Sequence, residues 1–221
     1  MLPYYEGHGI TLYHGDCLSV LTEINLEGID LIVTDPPYGI GWWRPANKQR
    51  NDKGHTGIQG DQDTSARDTA LALFPGIPAI VFGSFYAPFP AHLKQVLVWR
   101  KAESHGVVGS TTGYRRDCEP VFLCGPWPTR TFAWSSLLTQ NGGHIAETAA
   151  TGHPHTKPLD LIKTLILRSG ATLILDPFAG SGTTLRAAKD VGVRAIGIEL
   201  EEPYCRVAVS RLQQEVLALE T

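Results

Sequence analysis

"TLILDPFAGSGTTLRAAKDVGVRAIGIE", residues 172–199, contains the fold in outline. Its first five residues are an apolar run short enough for a buried strand. The run ends at Asp176 and enters a glycine-rich turn, and the pattern then turns helical through "TTLRAAKDVG", closing at Gly192, before a second run, "AIGIE", ends at Glu199. A strand, a tight turn, a helix and another strand of this kind predict a right-handed βαβ unit. Glycines at 180 and 182 allow the backbone to approach a ligand, and the helix start beyond them offers unpaired amides. The turn departs from two familiar phosphate binders. A dinucleotide fingerprint requires a small residue where Leu185 stands, and a P-loop requires Gly-Lys-Ser/Thr where "GTT" follows. With Glu199 placed to accept from ribose hydroxyls, the unit suits an adenosine-containing cofactor without a pyrophosphate. Taken alone, the turn reads equally well as a tight connection that binds nothing.

The pattern repeats outward. Five further short apolar runs, at 10–15, 30–34, 79–84, 95–100 and 119–124, bring the strand count to seven. Helical signals lie between them: "SVLTEI" after Asp16, "TSARDTALALF" with a Ser65/Asp68 capping pattern, "PLDLIKTLIL" with Leu159, Ile162, Leu165 and Ile166 on one face, and "PYCRVAVSRLQQEVLAL" with Val209, Leu212, Val216 and Leu219 on one face. The expected architecture is a Rossmann-like, seven-stranded, mostly parallel α/β sheet with helices on both faces. The length of 221 residues and 43% hydrophobic content fit a single domain over 1–221.

Composition narrows the function classes. The four cysteines, Cys17, Cys118, Cys124 and Cys205, lie far apart without CxxC or zinc-like His spacing, so neither a disulfide framework nor a metal site is expected. His153 and His155 flank Pro154 in a loop and read as structural. No apolar run approaches the roughly 20 residues needed to cross a bilayer, and no charged leader precedes an apolar core, so the expected setting is cytoplasmic. A formal net charge of −3 leaves room for local nucleic-acid contacts. Two segments interrupt the periodicity. Residues 42–60 form a basic, turn-rich stretch with Arg44, Lys48, Arg50 and Lys53, read as a mobile loop; residues 125–156, with Trp127, Arg130 and Trp134, read as a short irregular insertion.

A second strand-to-turn junction carries the chemistry. "LIVTDPPYGIGWW", residues 31–43, ends a buried run at Asp35 and continues through Pro36, Pro37 and Tyr38. Paired prolines fix the backbone and remove amide donors, leaving the Pro36 carbonyl to accept. Together with Asp35 it could take one hydrogen each from an exocyclic amine, aiming the nitrogen lone pair out of the ring plane. Tyr38 offers a face for an extruded base. For "DPP" alone, a structural turn with Asp35 capping a local amide is an equal reading.

"TDPPYGIGW" followed by "LDPFAGSGTT" resembles the DNA amino-methyltransferases that use S-adenosylmethionine, in the permuted order of the β class, where the catalytic motif precedes the cofactor motif. "LYHGDCLSVL", "GHPHTKPLDLI", "RRDCEPVFLCG" and "IGIELEEPY" resemble further elements of that family in the same order. The resemblance implies a permuted methyltransferase fold and methyl transfer to adenine in double-stranded DNA, with the target base flipped out. Catalytic roles fall to Asp35, Pro36, Pro37 and Tyr38. Cofactor contacts fall to Asp16 and Cys17 near the adenine, Glu199 at the ribose, Lys157 beside the methionine part, and Asp176, Phe178, Gly180, Ser181, Gly182 and Thr183 in the glycine turn. DNA contacts are expected from Arg44, Lys48, Arg50, Lys53 and Arg130, and a restriction-modification setting is implied. Asp at the head of DPPY favours adenine over cytosine; N4 methylation of cytosine, methylation of RNA or a protein amide, and an inactive DNA-binding remnant are the rival readings. The insertion at 125–156 is short for target recognition, so a relaxed site or help from a second copy in a homodimer is expected.

Overall fold

A computed structural model describes residues 1–41, 60–101, 113–114, 116–139 and 157–214. Nine strands form one sheet: β1 (Tyr5–Gly7), β2 (Ile10–His14), β3 (Leu31–Thr34), β4 (Ala79–Phe82), β5 (Leu93–Arg100), β6 (Cys118–Cys124), β7 (Leu137–Leu138), β8 (Leu173–Asp176) and β9 (Arg194–Glu199). Their spatial order is β1-β2-β9-β8-β3-β4-β6-β5-β7. All seven expected strands are present. The two additions, β1 and β7, are three and two residues long and sit at the two edges, too short to leave a hydrophobic period in the sequence.

The centre of the sheet is parallel, with β2, β9, β8, β3 and β4 all running the same way. β3, β4 and β8 are buried at every position. This explains their unbroken apolar runs, since helices cover both faces and no side of the strand meets water. Beyond β4, β6 is antiparallel to both β4 and β5. From β8 the chain proceeds outward to β9, and from β3 it proceeds outward to β4 on the other side. The β8–β3 junction is therefore the switch point at which a crevice opens beyond the carboxyl ends of the strands.

Five helices complete the described residues: α1 (Cys17–Val20), α2 (Ser65–Ala72), α3 (Leu159–Ser169), α4 (Thr183–Asp190) and α5 (Glu202–Gln213). Cys17 and Val20 of α1 and Ala70 of α2 pack on one face of the sheet with Ile32, Val81 and Leu175. Leu161, Ile162, Leu165 and Ile166 of α3, Leu185 and Ala188 of α4, and Cys205, Ala208 and Leu212 of α5 pack on the other, with Leu31, Ile80 and Ile174. None of these helices is long and apolar enough to cross a membrane.

Local signals set the helix ends with two departures from expectation. The α2 start is organised by Asp63, whose Oδ1 accepts from the Ser65 amide at 2.8 Å, while Ser65 is already helical. The buried face of α5 runs through Cys205, Ala208 and Leu212; Val209 packs at its margin, and Val216 and Leu219 lie outside the described residues. α3 ends at Gly170 in the left-handed conformation (φ 75°), the usual way of closing a helix by glycine.

Candidate active site

The last residues of β3 and β8 meet at the switch point. Thr34 Oγ1 donates to Asp176 Oδ1 at 2.8 Å, which brings the DPPY turn and the glycine turn to one cavity of about 950 Å³. Asp35, Pro36 and Tyr38 line one side; Phe178, Gly180 and Glu199 line another. The cavity also takes in Asp16 and Cys17 from the turn after β2.

The DPPY turn is held at both ends. Beyond Tyr38, the chain reverses at Gly39 (φ 71°), where a Cβ would stand 2.7 Å from the Asp63 carbonyl carbon, so only glycine fits. The Gly39 amide donates to Asp61 Oδ1 at 2.7 Å, and the Gly41 amide donates to the Asp61 carbonyl at 2.8 Å. Asp61 is buried, 3% exposed, and nothing in the sequence near DPPY announces it because 22 residues separate it from Gly39. Within the turn, Tyr38 Oη donates to Asp35 Oδ1 at 2.8 Å. Burial and the carboxylates of Asp35 and Glu119 hold the Tyr38 hydroxyl well above its ordinary pKa, so it stays a donor. Among the described residues no donor bonds the Pro36 carbonyl, which leaves that acceptor available.

Lys157 enters the same corner. Its ammonium lies 2.9 Å from Asp35 Oδ2 and donates to Tyr38 Oη at 2.8 Å, with the Phe82 ring centroid 5.4 Å away. Burial alone would depress this pKa, but Asp35 and Glu119 reverse the shift and raise it, so the side chain is charged. The family resemblance implies a place for Lys157 beside the methionine part of the cofactor; its ammonium lies against the DPPY turn, and the residue lines the same cavity as the glycine turn.

The glycine turn has its own supports. Gly180 (φ 51°) donates its amide to Glu199 Oε2 at 2.7 Å, and the Glu201 amide donates to Oε1 at 2.7 Å. A carboxylate has about four acceptor positions, so these bonds leave capacity for a ligand hydroxyl. At Gly182 (φ 78°) a Cβ would stand 2.7 Å from the Ala208 Cβ, so this glycine serves the close packing of α5 as much as any ligand. Ser181 and Thr183 line the cavity and are also tied to α5, since Arg211 donates to Ser181 Oγ at 3.3 Å, to the Ser181 carbonyl at 2.8 Å and to Thr183 Oγ1 at 2.9 Å. Asp176 also accepts from the Phe178 amide at 3.1 Å, and its burial pushes its carboxyl up to about 7. Asp16 caps α1, its Oδ1 accepting from the Ser19 amide at 3.0 Å. The Cys17 thiol is pushed up to about 11 by burial and by Asp16, which makes it an uncharged wall of the cavity rather than a nucleophile.

The profile of a DNA methylase family that methylates amino groups at N6 or N4 matches residues 98–210, half of the chain, including Glu119, Lys157, the glycine turn and Glu199. The chain belongs to this DNA methylase family. Relatives match along nearly its whole length. The type II methyltransferase M.ScaI of Streptomyces caespitosus is 27% identical over 272 residues, covering 98% of this chain and 86% of the relative. M2.LlaDCHI of Lactococcus lactis subsp. cremoris is 27% identical over 253 residues, covering 96% and 92%. Among solved structures, the M1.HpyAVI–SAM complex superposes with a TM-score of 0.63 at 22% identity, covering 93% of this chain and 100% of the other. The cytosine-N4-specific PvuII DNA methyltransferase superposes with a TM-score of 0.67 at 19% identity, covering 98% and 90%.

Not every residue singled out in the methyltransferase sequence reaches the cavity. Arg44, Lys48, Arg50 and Lys53 lie outside the described residues. Arg130 sits at the other rim of the sheet, donating to the Ser169 carbonyl at the end of α3 at 2.7 Å, with its guanidinium 5.7 Å from the Trp134 ring centroid. Of the insertion, 125–139 is described: Trp127 packs against the core and Leu137–Leu138 pairs with β5 as β7. Conversely, the mouth of the cavity carries Phe85 and Tyr86 on the loop after β4, 46% and 72% exposed, with the Arg116 guanidinium 4.7 Å from the Tyr86 ring centroid. "GSFYAP" is too short and too mixed for periodicity to single it out.

Proposed function

We propose that this DNA methyltransferase transfers a methyl group from S-adenosylmethionine to the exocyclic amine of adenine in duplex DNA, acting on a base extruded into the cavity. The observation that carries the reading is the convergence of Asp35, the Pro36 carbonyl and the Tyr38 ring with the glycine turn and Glu199 around a single cavity. The donor set suits the cofactor: Glu199 retains acceptor capacity for ribose hydroxyls, and Cys17 and Phe178 offer apolar contact for a purine. Bound there, S-adenosylmethionine supplies an electrophilic sulfonium methyl group.

Asp35 and the Pro36 carbonyl orient the amine by accepting its hydrogens. The nitrogen lone pair then forms the new bond to carbon, the carbon–sulfur bond breaks with its electron pair going to sulfur, and the amine proton leaves by way of the acceptors to water. Tyr38 stacks on the base, a contact worth about 1–3 kcal/mol for a nucleobase on an aromatic ring. No covalent enzyme intermediate is needed, in keeping with buried thiols whose pKa values are raised. Positioning and a rigid polar environment supply the rate. The basic residues Arg44, Lys48, Arg50 and Lys53 follow directly on the catalytic turn in sequence and are proposed to hold phosphates. Arg130, anchored at the opposite rim, is a weaker candidate for that role.

Adenine is preferred because Asp heads the DPPY motif, and the order of the motifs supports the permuted β class. The likeness to the cytosine-N4-specific PvuII enzyme supports a second reading, in which the same acceptors orient the cytosine amine. Incubating the protein with duplex DNA and S-adenosylmethionine, followed by nucleoside digestion and mass spectrometry, separates them: N6-methyladenine is expected, and N4-methylcytosine as the product would transfer the assignment to cytosine.

A further inference from the structure

β6 runs antiparallel to β4, so its first residues arrive at the rim where the parallel strands end. This brings Glu119 to the cavity, paired across the ladder with Trp99 of β5 and next to Lys101, just beyond the end of β5. Glu119 Oε1 lies 2.5 Å from Lys101 Nζ, and Oε2 lies 3.5 Å from Lys157 Nζ. Lys157 in turn contacts Asp35 Oδ2 at 2.9 Å. Two ammonium groups and two carboxylates therefore alternate in the order Lys101, Glu119, Lys157, Asp35. Lys157, whose side chain is 5% exposed, is the most buried of the four.

A buried ammonium needs compensating charge, and removing one of its partners makes it lean on the other. Asp35 already accepts from Lys157 at Oδ2 and from Tyr38 at Oδ1, so an amine hydrogen must reach the remaining lone pairs, and an ammonium leaning further on Asp35 would compete for them. We propose that Glu119 is a positioning residue for methyl transfer: it shares the Lys157 ammonium with Asp35 and so keeps the Asp35 carboxylate open to the target amine. The inference rests on the amine-methylating reading above. The unequal distances fit this role, since Nζ has room to move toward Glu119 as the amine engages Asp35.

The test compares wild type, Glu119→Gln, Glu119→Asp and Lys101→Met. Single-turnover methylation of duplex DNA and S-adenosylmethionine affinity by calorimetry are measured for each. Glu119→Gln is expected to slow the single turnover tenfold or more and to leave cofactor affinity within twofold. Glu119→Asp should recover part of the rate. Lys101→Met releases Glu119 Oε1 and leaves its charge available to Lys157, so it should not slow the single turnover, which keeps the idea testable even if Glu119→Gln does not fold. A wild-type rate in Glu119→Gln, a rate loss matched by an equal loss of cofactor affinity, or a tenfold slower single turnover in Lys101→Met would overturn the proposal. Wild-type protein that methylates no base amine would take down the underlying reading and this inference with it, an outcome distinct from the first three.

Discussion

The Thr34 hydroxyl and the Asp176 carboxylate, 142 residues apart in sequence, share a 2.8 Å hydrogen bond across the β3–β8 junction. The pair locks together the two turns on which the proposed chemistry depends, and it sits where Asp176 is 2% exposed. The bond is also one of those that pull the Asp176 pKa down, against a larger upward push from burial and a smaller one from Asp35.

That balance predicts an unusual pH dependence of stability. The Asp176 carboxyl titrates near 7 in the folded chain and near 3.9 when unfolded. Between those values the folded state holds more protons, so stability falls as pH rises from about 4 to about 7 and levels off above. The full effect is on the order of 4 kcal/mol. Urea unfolding at pH 5 and pH 8 should show wild type losing stability across this window and Asp176→Asn losing markedly less; parallel curves for the two would contradict the assignment.

Gly182 combines a left-handed backbone with a 2.7 Å approach of its missing Cβ to Ala208. Gly182→Ala is expected to cost roughly 2–5 kcal/mol, the left-handed penalty adding to overpacking against α5. Cofactor affinity should fall with it because the same turn carries the Gly180 amide. Thermal melting together with calorimetric titration checks both; a variant of wild-type stability would refute the packing role.

Tyr38 allows its ring and its hydroxyl to be separated. Tyr38→Phe keeps the stacking face and loses the bonds to Asp35 and Lys157, so kcat should drop with little change in KM for DNA. Tyr38→Ala should lose a further 1–3 kcal/mol, about 5- to 150-fold, in kcat/KM. Equal behaviour of the two variants would mean that the ring does not carry the base.

At the opposite rim, Asp30 fastens β3 to β8 by accepting from the Thr172 amide at 2.9 Å, the Thr172 hydroxyl at 2.7 Å and the Leu173 amide at 3.1 Å. Asp30→Ala should destabilise by about 1–2 kcal/mol and leave cofactor affinity unchanged. Denaturant midpoints and calorimetry report the two effects independently.

The parallel core of the sheet was legible because its strands are buried on both faces and leave continuous apolar runs, as "LIVT" and "LILD" show. The two turns were legible for a related reason: each follows such a run directly, so the rule that α/β sites form at carboxyl strand ends applies to them. Glu119 escaped that rule because it lies at the start of an antiparallel strand, which reaches the same rim from the other direction. Asp61 escaped because its partners are backbone amides far away in sequence. Arg211, which engages the Ser181 and Thr183 hydroxyls, escaped notice because it comes from a helix about 30 residues on. Lys157 was placed by motif, and only the tertiary fold could show its ammonium against Asp35.

The central claim is that Asp35 and the glycine turn serve one methyl transfer to a base amine. Its most direct test is transfer of isotopically labelled methyl from S-adenosylmethionine to duplex DNA by wild type and Asp35→Ala, with the product nucleoside identified by mass spectrometry and cofactor binding measured in parallel. The account predicts labelled N6-methyladenine from wild type, and from Asp35→Ala a rate at least a hundredfold lower with cofactor affinity retained. Undiminished transfer by Asp35→Ala, or label on a ring carbon rather than an exocyclic nitrogen, would contradict it.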